Sequence, residues 1–484
     1  VPKRLLILVC ALLFVFSSFK PAEAVGDLEN GAAMVLELMD LMHQYHISNP
    51  DVSVLTNGAI QGLLDSLEDP YADYFSDEEL RQFTDAINGD LMGVVGIEVM
   101  AGEGYPLVVG VIPGTPAARG GVKAGDIIVA IDGQDISGWP LVDVVEKIRG
   151  PSGTKVVLKL HRGDVTLDIE LSRADVHVPS VQYEMLAGKT GYISVASFGS
   201  STGREFDDAV RRLQGQGMES LIIDLRNNGG GFVLEAVDIL DNFLAENTLV
   251  ASIVDGKGNR EDIRSQKKPV ITSLPMVVIV NDLSASAAEI LAGALQDYKM
   301  ATLVGNVTFG KGVVQTIIPL SSGGALKMTV SKYLTPAGND IDKVGLTPDH
   351  YVFTNELQRE VAWQILHPGD ILRLTVEPGT GRAALNGRVL DLAINVEKRG
   401  SIYLLPLRPV LEALLYQVFW QDGVIKVLSD QGEVLSINLN GDGIDSRNEI
   451  ILKGGVSYLT ENILKQLNID IIKDENKIAL TRLK

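Results

Sequence analysis

The chain has 484 residues, 46% of them hydrophobic, and a formal net charge of −20. That length suits three or four domains, and the apolar content excludes a largely disordered chain. The acidic balance argues against nucleic acid, whose phosphates need a basic footprint, and against broad adhesion to anionic lipid; its plainest use is solubility.

The first residues read as an export signal. Lys3 and Arg4 precede an apolar run from Leu5 to Phe16, and Ala22-Glu23-Ala24 offers a cleavage site. The run is short for a membrane span, which needs about 20 apolar residues. Cleavage is therefore expected, with a retained anchor at residues 5–16, and membrane association through it, as the alternative. Cys10, the only cysteine, lies in this segment. A processed chain would hold no disulfide, no catalytic cysteine and no cysteine-ligated metal.

Residues 25–88 read as helical. Leu36, Leu38, Met39, Leu41 and Met42 recur at helical spacing, as do Ile60, Leu63, Leu64 and Leu67, until Asp69-Pro70 breaks the run. Such a segment serves either as a homodimerisation arm or as a helical cap on the next domain, and the pattern leaves both open.

Residues 89–175 change character. Short apolar strands (107–112, 126–131, 155–160, 165–171) alternate with Gly and Pro turns, and one helix is expected at 140–148. Gly93-Val94-Val95-Gly96-Ile97 opens the module. Its glycines allow the positive φ that turns backbone N–H groups toward a carboxylate, and an adjoining strand edge can accept a peptide. With Gly110-Val111-Ile112-Pro113-Gly114-Thr115-Pro116-Ala117-Ala118 and Lys123-Ala124-Gly125-Asp126-Ile127-Ile128, the segment resembles a PDZ domain. The resemblance implies binding of C-terminal peptide tails between the second strand and the 140–148 helix.

Residues 176–355 alternate strands (191–198, 221–225, 276–280) with helices (205–214, 233–244, 286–298), which predicts an α/β layer with a largely parallel sheet. Residues 370–484 are β-rich and carry two strand–helix–hairpin units of similar length, the first beginning at Ile402 and the second at Val456. This duplicated module resembles the copper amine oxidase N-terminal-like domain. It has no His or Cys, so no copper is expected, and an accessory or a purely stabilising role fits it equally.

The chemistry concentrates in two boxes. One reads Asn281-Asp282-Leu283-Ser284-Ala285-Ser286-Ala287-Ala288-Glu289, the other Thr308-Phe309-Gly310-Lys311-Gly312-Val313-Val314-Gln315. A serine needs a neighbouring base, and none of the six histidines lies in a Gly- or Ser-rich catalytic turn. A lysine can serve if burial lowers its pKa from about 10.4 toward about 7.5. On an extended strand Lys311 and Gln315 share a face, so Gln315 can hold the amine toward Ser286. Ser286 at a helix start places the Ala287 N–H at the positive end of the dipole, and Gly230 or Gly231 can give a second oxyanion donor.

The two boxes resemble those of the carboxyl-terminal processing peptidases, serine proteases with a Ser-Lys dyad. So do Asp224-Leu225-Arg226-Asn227-Asn228-Gly229-Gly230-Gly231, the PDZ-like module and the Asp69-Pro70 region. By that resemblance Ser286 is the nucleophile, Lys311 the base and Gln315 its partner, while Gly230 or Gly231 and the Ala287 amide form the oxyanion hole. It also implies a crotonase/Clp-protease-like core, no cofactor or metal, and an exported, ATP-independent endopeptidase acting on proteins with apolar C-terminal tails. Ala288 departs from the serine that many members carry. The alternative is a non-catalytic PDZ scaffold of the cell envelope.

Rival motifs are weaker. Gly199-Ser200-Ser201-Thr202-Gly203 matches G-x-S-x-G but lacks an Asp and His in supporting context, and reads as helix-capping residues. Ser265-x-x-Lys268 and Ser152-x-x-Lys155 lie in polar loops. The Asn227–Gly231 loop lacks the Lys-Ser/Thr of a phosphate loop. Asn438 to Glu449 approaches a calcium loop but begins with Asn and has no flanking helices. Ser284 is the specific alternative to Ser286.

Overall fold

The computed structural model describes residues 25–482 except 272, 370, 400–401, 430–431, 439–449 and 475. The expected export signal and nearly all of the calcium-like loop lie outside the described residues. Among those described, no helix is long and apolar enough to cross a membrane.

Two helices, Val25–Tyr45 and Val52–Asp65, form an N-terminal pair, and the second has no buried residue. The chain then lays the short strand Asp73–Phe75 along a sheet edge of the α/β core and enters the helix Asp77–Asn88. That helix starts with a full capping box between Ser76 and Glu79 and ends at Gly89, whose φ of +71° suits glycine.

The next module is a six-stranded antiparallel sheet carrying the helix Leu141–Ile148. Its core of Val108, Ile128, Ile131, Val144, Val156, Leu158 and Leu160 is fully buried. Strands at 107–111, 127–131, 155–162 and 165–172 stand close to where the alternation of apolar residues puts them.

The catalytic layer is a six-stranded sheet in the order Val181–Leu186, Thr190–Val195, Ser220–Asp224, Met276–Val280, Thr302–Gly305, His350–Tyr351. Only its first pair is antiparallel. Successive residues of a strand face opposite sides. Leu221, Ile223, Met276, Val278 and Val280 accordingly pack with the helices Thr202–Gly215, Val233–Leu240 and Ala287–Asp297. Ile222, Val277, Ile279 and Val304 pack on the reverse face with the helix Asn355–Leu366 and the C-terminal module. Strands buried on both faces read as unbroken apolar runs, as Met276–Val280 does.

A second sheet, absent from the sequence reading, flanks this layer. The hairpin Val313–Pro319 and Ala325–Leu334 carries the lysine box and pairs onward with Leu249–Asp255. The helix Asn355–Leu366 was also missed, since the sequence reading ended the core at 355 and resumed at 370. The C-terminal segment contains the two strand–helix–hairpin units, Ile402–Ser429 and Val456–Arg482, the first followed by an added strand, Gly432–Asn438.

At the junction between the antiparallel module and the core, the strand Asp90–Val94 pairs with Ala174–His177. His177 closes the strand Ala174–His177; its Nδ1 lies 2.8 Å from Asp90 Oδ1 and its Nε2 3.1 Å from Glu205 Oε1. The hydrogen bond with Asp90, then that with Glu205, raises the imidazole pKa above its ordinary 6.5, against partial desolvation. A raised histidine contributes stability that is complete below its ordinary pKa and is lost as pH climbs through the raised value. We expect amide exchange in residues 90–94 and 174–177 to quicken as pH rises above 6.5 into that window. His177→Gln should abolish this excess, measured after correction for intrinsic exchange.

Candidate functional site

Ser286 stands between the buried strand Met276–Val280 and the helix Ala287–Asp297. Its backbone is strained, at φ +61° and ψ −117°. Side chains of Ser286, Lys311 and Gln315 are all 0% exposed, so the site is closed. Lys311 Nζ donates to Gln315 Oε1 at 3.3 Å. The contact does not come from a shared strand face as expected, because Lys311 precedes the strand Val313–Pro319 and the register shifts between Val314 and Gln315. The Ser286 hydroxyl, however, has no hydrogen-bond partner. The lysine amine is thus close to its expected helper but not bonded to the serine.

Ser284 is occupied elsewhere. Its Oγ donates to the Leu225 carbonyl at 2.7 Å and accepts from Asn281 N–H at 3.0 Å. It ties the end of one strand to the turn after another and has no hydroxyl proton to spare for chemistry.

The glycine loop lies against the serine. A Cβ built on Gly230 would stand 2.8 Å from Ser286 Cβ and 3.0 Å from Ala287 N, so only glycine leaves this space open. Gly230 and Gly231 both have positive φ, +97° and +147°. The Gly230 N–H donates to Asn228 Oδ1 at 2.8 Å, so in this conformation it is directed away from an incoming oxyanion. Ala287, first in its helix, has no intrahelical acceptor for its N–H. Asn228 also donates to the Val195 carbonyl, and Asn227 exchanges two bonds with Asn281, so the glycine and serine loops are fastened together.

Two features escaped the sequence reading. The first is Glu289, quoted in the serine box without a role. Its buried carboxylate accepts four bonds: from Ser286 N–H at 2.8 Å, Gly310 N–H at 2.8 Å, Lys311 N–H at 2.9 Å and the Thr308 hydroxyl. Burial pushes its pKa up, while the hydrogen bonds from Thr308 and the three amides oppose that shift. The spacing S-x-x-E was the available signal, since it is that of a capping box; only the Glu289 half of the box forms here. The second is Tyr71, whose ring centroid lies 4.6 Å from Lys311 Nζ. Tyr333 adds a bond to the Ser286 carbonyl at 3.2 Å, and full burial raises its phenol well above the usual value.

The rival motifs have ordinary uses. Ser201 precedes the helix Thr202–Gly215 but makes no capping bond, contrary to expectation; its Oγ instead accepts from Arg204. Ser265 Oγ donates to the Ala245 carbonyl, and Lys155 pairs with Glu170. In the antiparallel module, Val94, Val95, Gly96 and Ile97 line a cleft of about 80 Å³ together with Val145 and Ile148 of the helix. Gly93 does not line it; its N–H is held by Asp175 at 2.9 Å.

Glu289→Ala would leave four buried donors without their acceptor, each costing about 1–3 kcal/mol. We expect a loss of about 3 kcal/mol or more in stability of the core, read from urea unfolding, together with loss of peptidase activity.

Comparison with known proteins places the chain in a family. Residues 189–352 match peptidase family S41, and residues 107–162 match a PDZ domain. A carboxy-terminal-processing protease of Bartonella bacilliformis is 37% identical over 321 residues, covering 65% of this chain and 73% of that protein. A probable CtpA-like serine protease of Staphylococcus aureus is 34% identical over 320 residues, covering 66% of this chain and 64% of that one. A solved photosystem II D1 C-terminal processing protease is 30% identical, covering 66% of this chain and 87% of that one, with a TM-score of 0.42. The chain belongs to peptidase family S41, as a serine protease of the carboxy-terminal-processing kind with a PDZ domain.

Proposed function

We propose that Ser286 attacks the scissile carbonyl with Lys311 as its general base, within an exported, ATP-independent endopeptidase that draws in apolar C-terminal tails. The observation that carries this reading is the convergence of both boxes on one buried carboxylate, which holds Ser286 and Lys311 in fixed relation. A buried amine suits a general base, because burial disfavours its charged form. Lys311 takes the Ser286 proton as Oγ bonds to the carbonyl carbon, and returns it to the amine that leaves. Water then releases the acyl group by the same route. Gln315 Oε1 steadies the amine, and the Ala287 N–H with the N–H of Gly231, or of Gly230 once turned from Asn228, receives the oxyanion.

The PDZ cleft supports the apolar preference. Ile97, Val99, Ile112, Val145 and Ile148 surround a space that suits a small aliphatic terminal side chain. The C-terminal module, residues 370–484, acts as an accessory domain seated on the reverse face of the catalytic sheet.

Turnover of unfolded casein should disappear in Ser286→Ala and Lys311→Ala and persist in Ser284→Ala, whose lost bond affects stability. Equal cleavage by wild type, Ser286→Ala and Lys311→Ala would remove the dyad assignment.

The helical pair at the N-terminus serves as a dimerisation arm. Met34, Leu38, Leu41 and Tyr45 form an exposed stripe at helical spacing, and Val52, Val54 and Leu63 continue the apolar surface on the second helix. A second copy of the chain presents the same stripe. We expect the wild type to sediment as a dimer and Leu38→Glu/Leu41→Glu as a monomer; a monomeric wild type at tens of micromolar would overturn this.

A further inference from the structure

Tyr71 lies far from both catalytic boxes in sequence, yet its ring covers the lysine amine. Its position follows from a short chain of contacts. Gln315 pairs across the hairpin with Thr329. The Thr329 N–H donates to Asp69 Oδ2 at 3.0 Å, and Asp69 Oδ1 accepts the N–H of Tyr71 at 3.0 Å. Asp69 therefore sets the turn at the level of Gln315 and delivers the ring onto Lys311 Nζ. Two residues later the chain becomes the edge strand Asp73–Phe75, paired with residues 325–327 and held by the stack of Phe75 on Phe83 at 4.9 Å. On the other side of Tyr71 the chain leads back to the helix Val52–Asp65, which buries nothing. Tyr71 thus sits between a firm anchor and an exposed arm.

A ring face attracts an ammonium and not a neutral amine, because the attraction acts on charge. A general base must be neutral and bonded to the hydroxyl it deprotonates. The Ser286 hydroxyl has no hydrogen-bond partner. The ring and the absent serine bond describe one resting arrangement. We propose that Tyr71 is a positioning residue for the base: its ring holds the Lys311 ammonium on the Gln315 side, and Lys311 engages Ser286 when residues 69–72 draw back. This rests on Lys311 being the base.

The test compares wild type, Tyr71→Phe, Tyr71→Leu and Tyr71→Met in the full chain. One assay follows the rate of Ser286 labelling by a fluorophosphonate. The other separates kcat from KM on a quenched fluorescent peptide with an apolar C-terminus. Removing the ring should raise both the labelling rate and kcat by about three- to tenfold, the range of an ordinary ring–cation contact, with KM unchanged. Tyr71→Phe retains the ring face and should stay within twofold of wild type. Tyr71→Met is a second ring-free variant in case Tyr71→Leu folds poorly. The proposal is overturned if the folded ring-free variants label at the wild-type rate or more slowly, or if Tyr71→Phe behaves as they do. Lys311→Ala separates the two failures: if it still labels and turns over like wild type, the base assignment has failed and the role of the ring falls with it; if it is inactive while the ring-free variants match wild type, the role of the ring alone has failed.

Discussion

The Glu289 carboxylate is the contact on which the rest of the site depends. A carboxylate is expensive to bury unless its lone pairs are met, and here two oxygens receive four donors from two separate boxes. Those donors include the backbone N–H of both Ser286 and Lys311. Ser286 and Lys311 are therefore not placed by direct contact with each other. Each is placed by its main chain against a third group.

The scaffold around this contact uses the two faces of one sheet for different purposes. The helix-covered face contains the helix Ala287–Asp297 and the glycine loop. The reverse face is closed by the helix Asn355–Leu366 and the C-terminal module through Ile222, Val277, Ile279 and Val304. The C-terminal module is thus continuous with the core of the catalytic layer.

Three strands of the catalytic layer, at 190–195, 220–224 and 276–280, were legible as apolar runs between turns; Val181–Leu186, Thr302–Gly305 and His350–Tyr351 were not read, the first being largely exposed and the other two short. Ser286, Lys311 and Gln315 could be singled out because they sit in two short boxes, one at a helix start and one leading into a strand. Ser286 was preferred to Ser284 because it starts the helix; the bond that occupies Ser284, to the Leu225 carbonyl 59 residues away, was not legible. Glu289 had a local signature in its capping spacing, but its bonds to the lysine box are tertiary. Tyr71 had none, because its position is decided by Asp69 meeting Thr329 across 260 residues. The helix at 355–366 carries Leu357, Val361 and Ile365 at four-residue intervals, and was lost to a boundary drawn too early.

The backbone at Ser286 has a consequence for which nucleophile this fold can use. At φ +61° and ψ −117° the residue lies where a branched β-carbon meets the flanking peptide groups. Threonine offers a comparable hydroxyl, but its extra methyl group would crowd this turn and Gly230, whose approach is already close. Cysteine has the unbranched shape that the turn accepts. The choice of serine over threonine is therefore made by main-chain geometry before any question of reactivity arises.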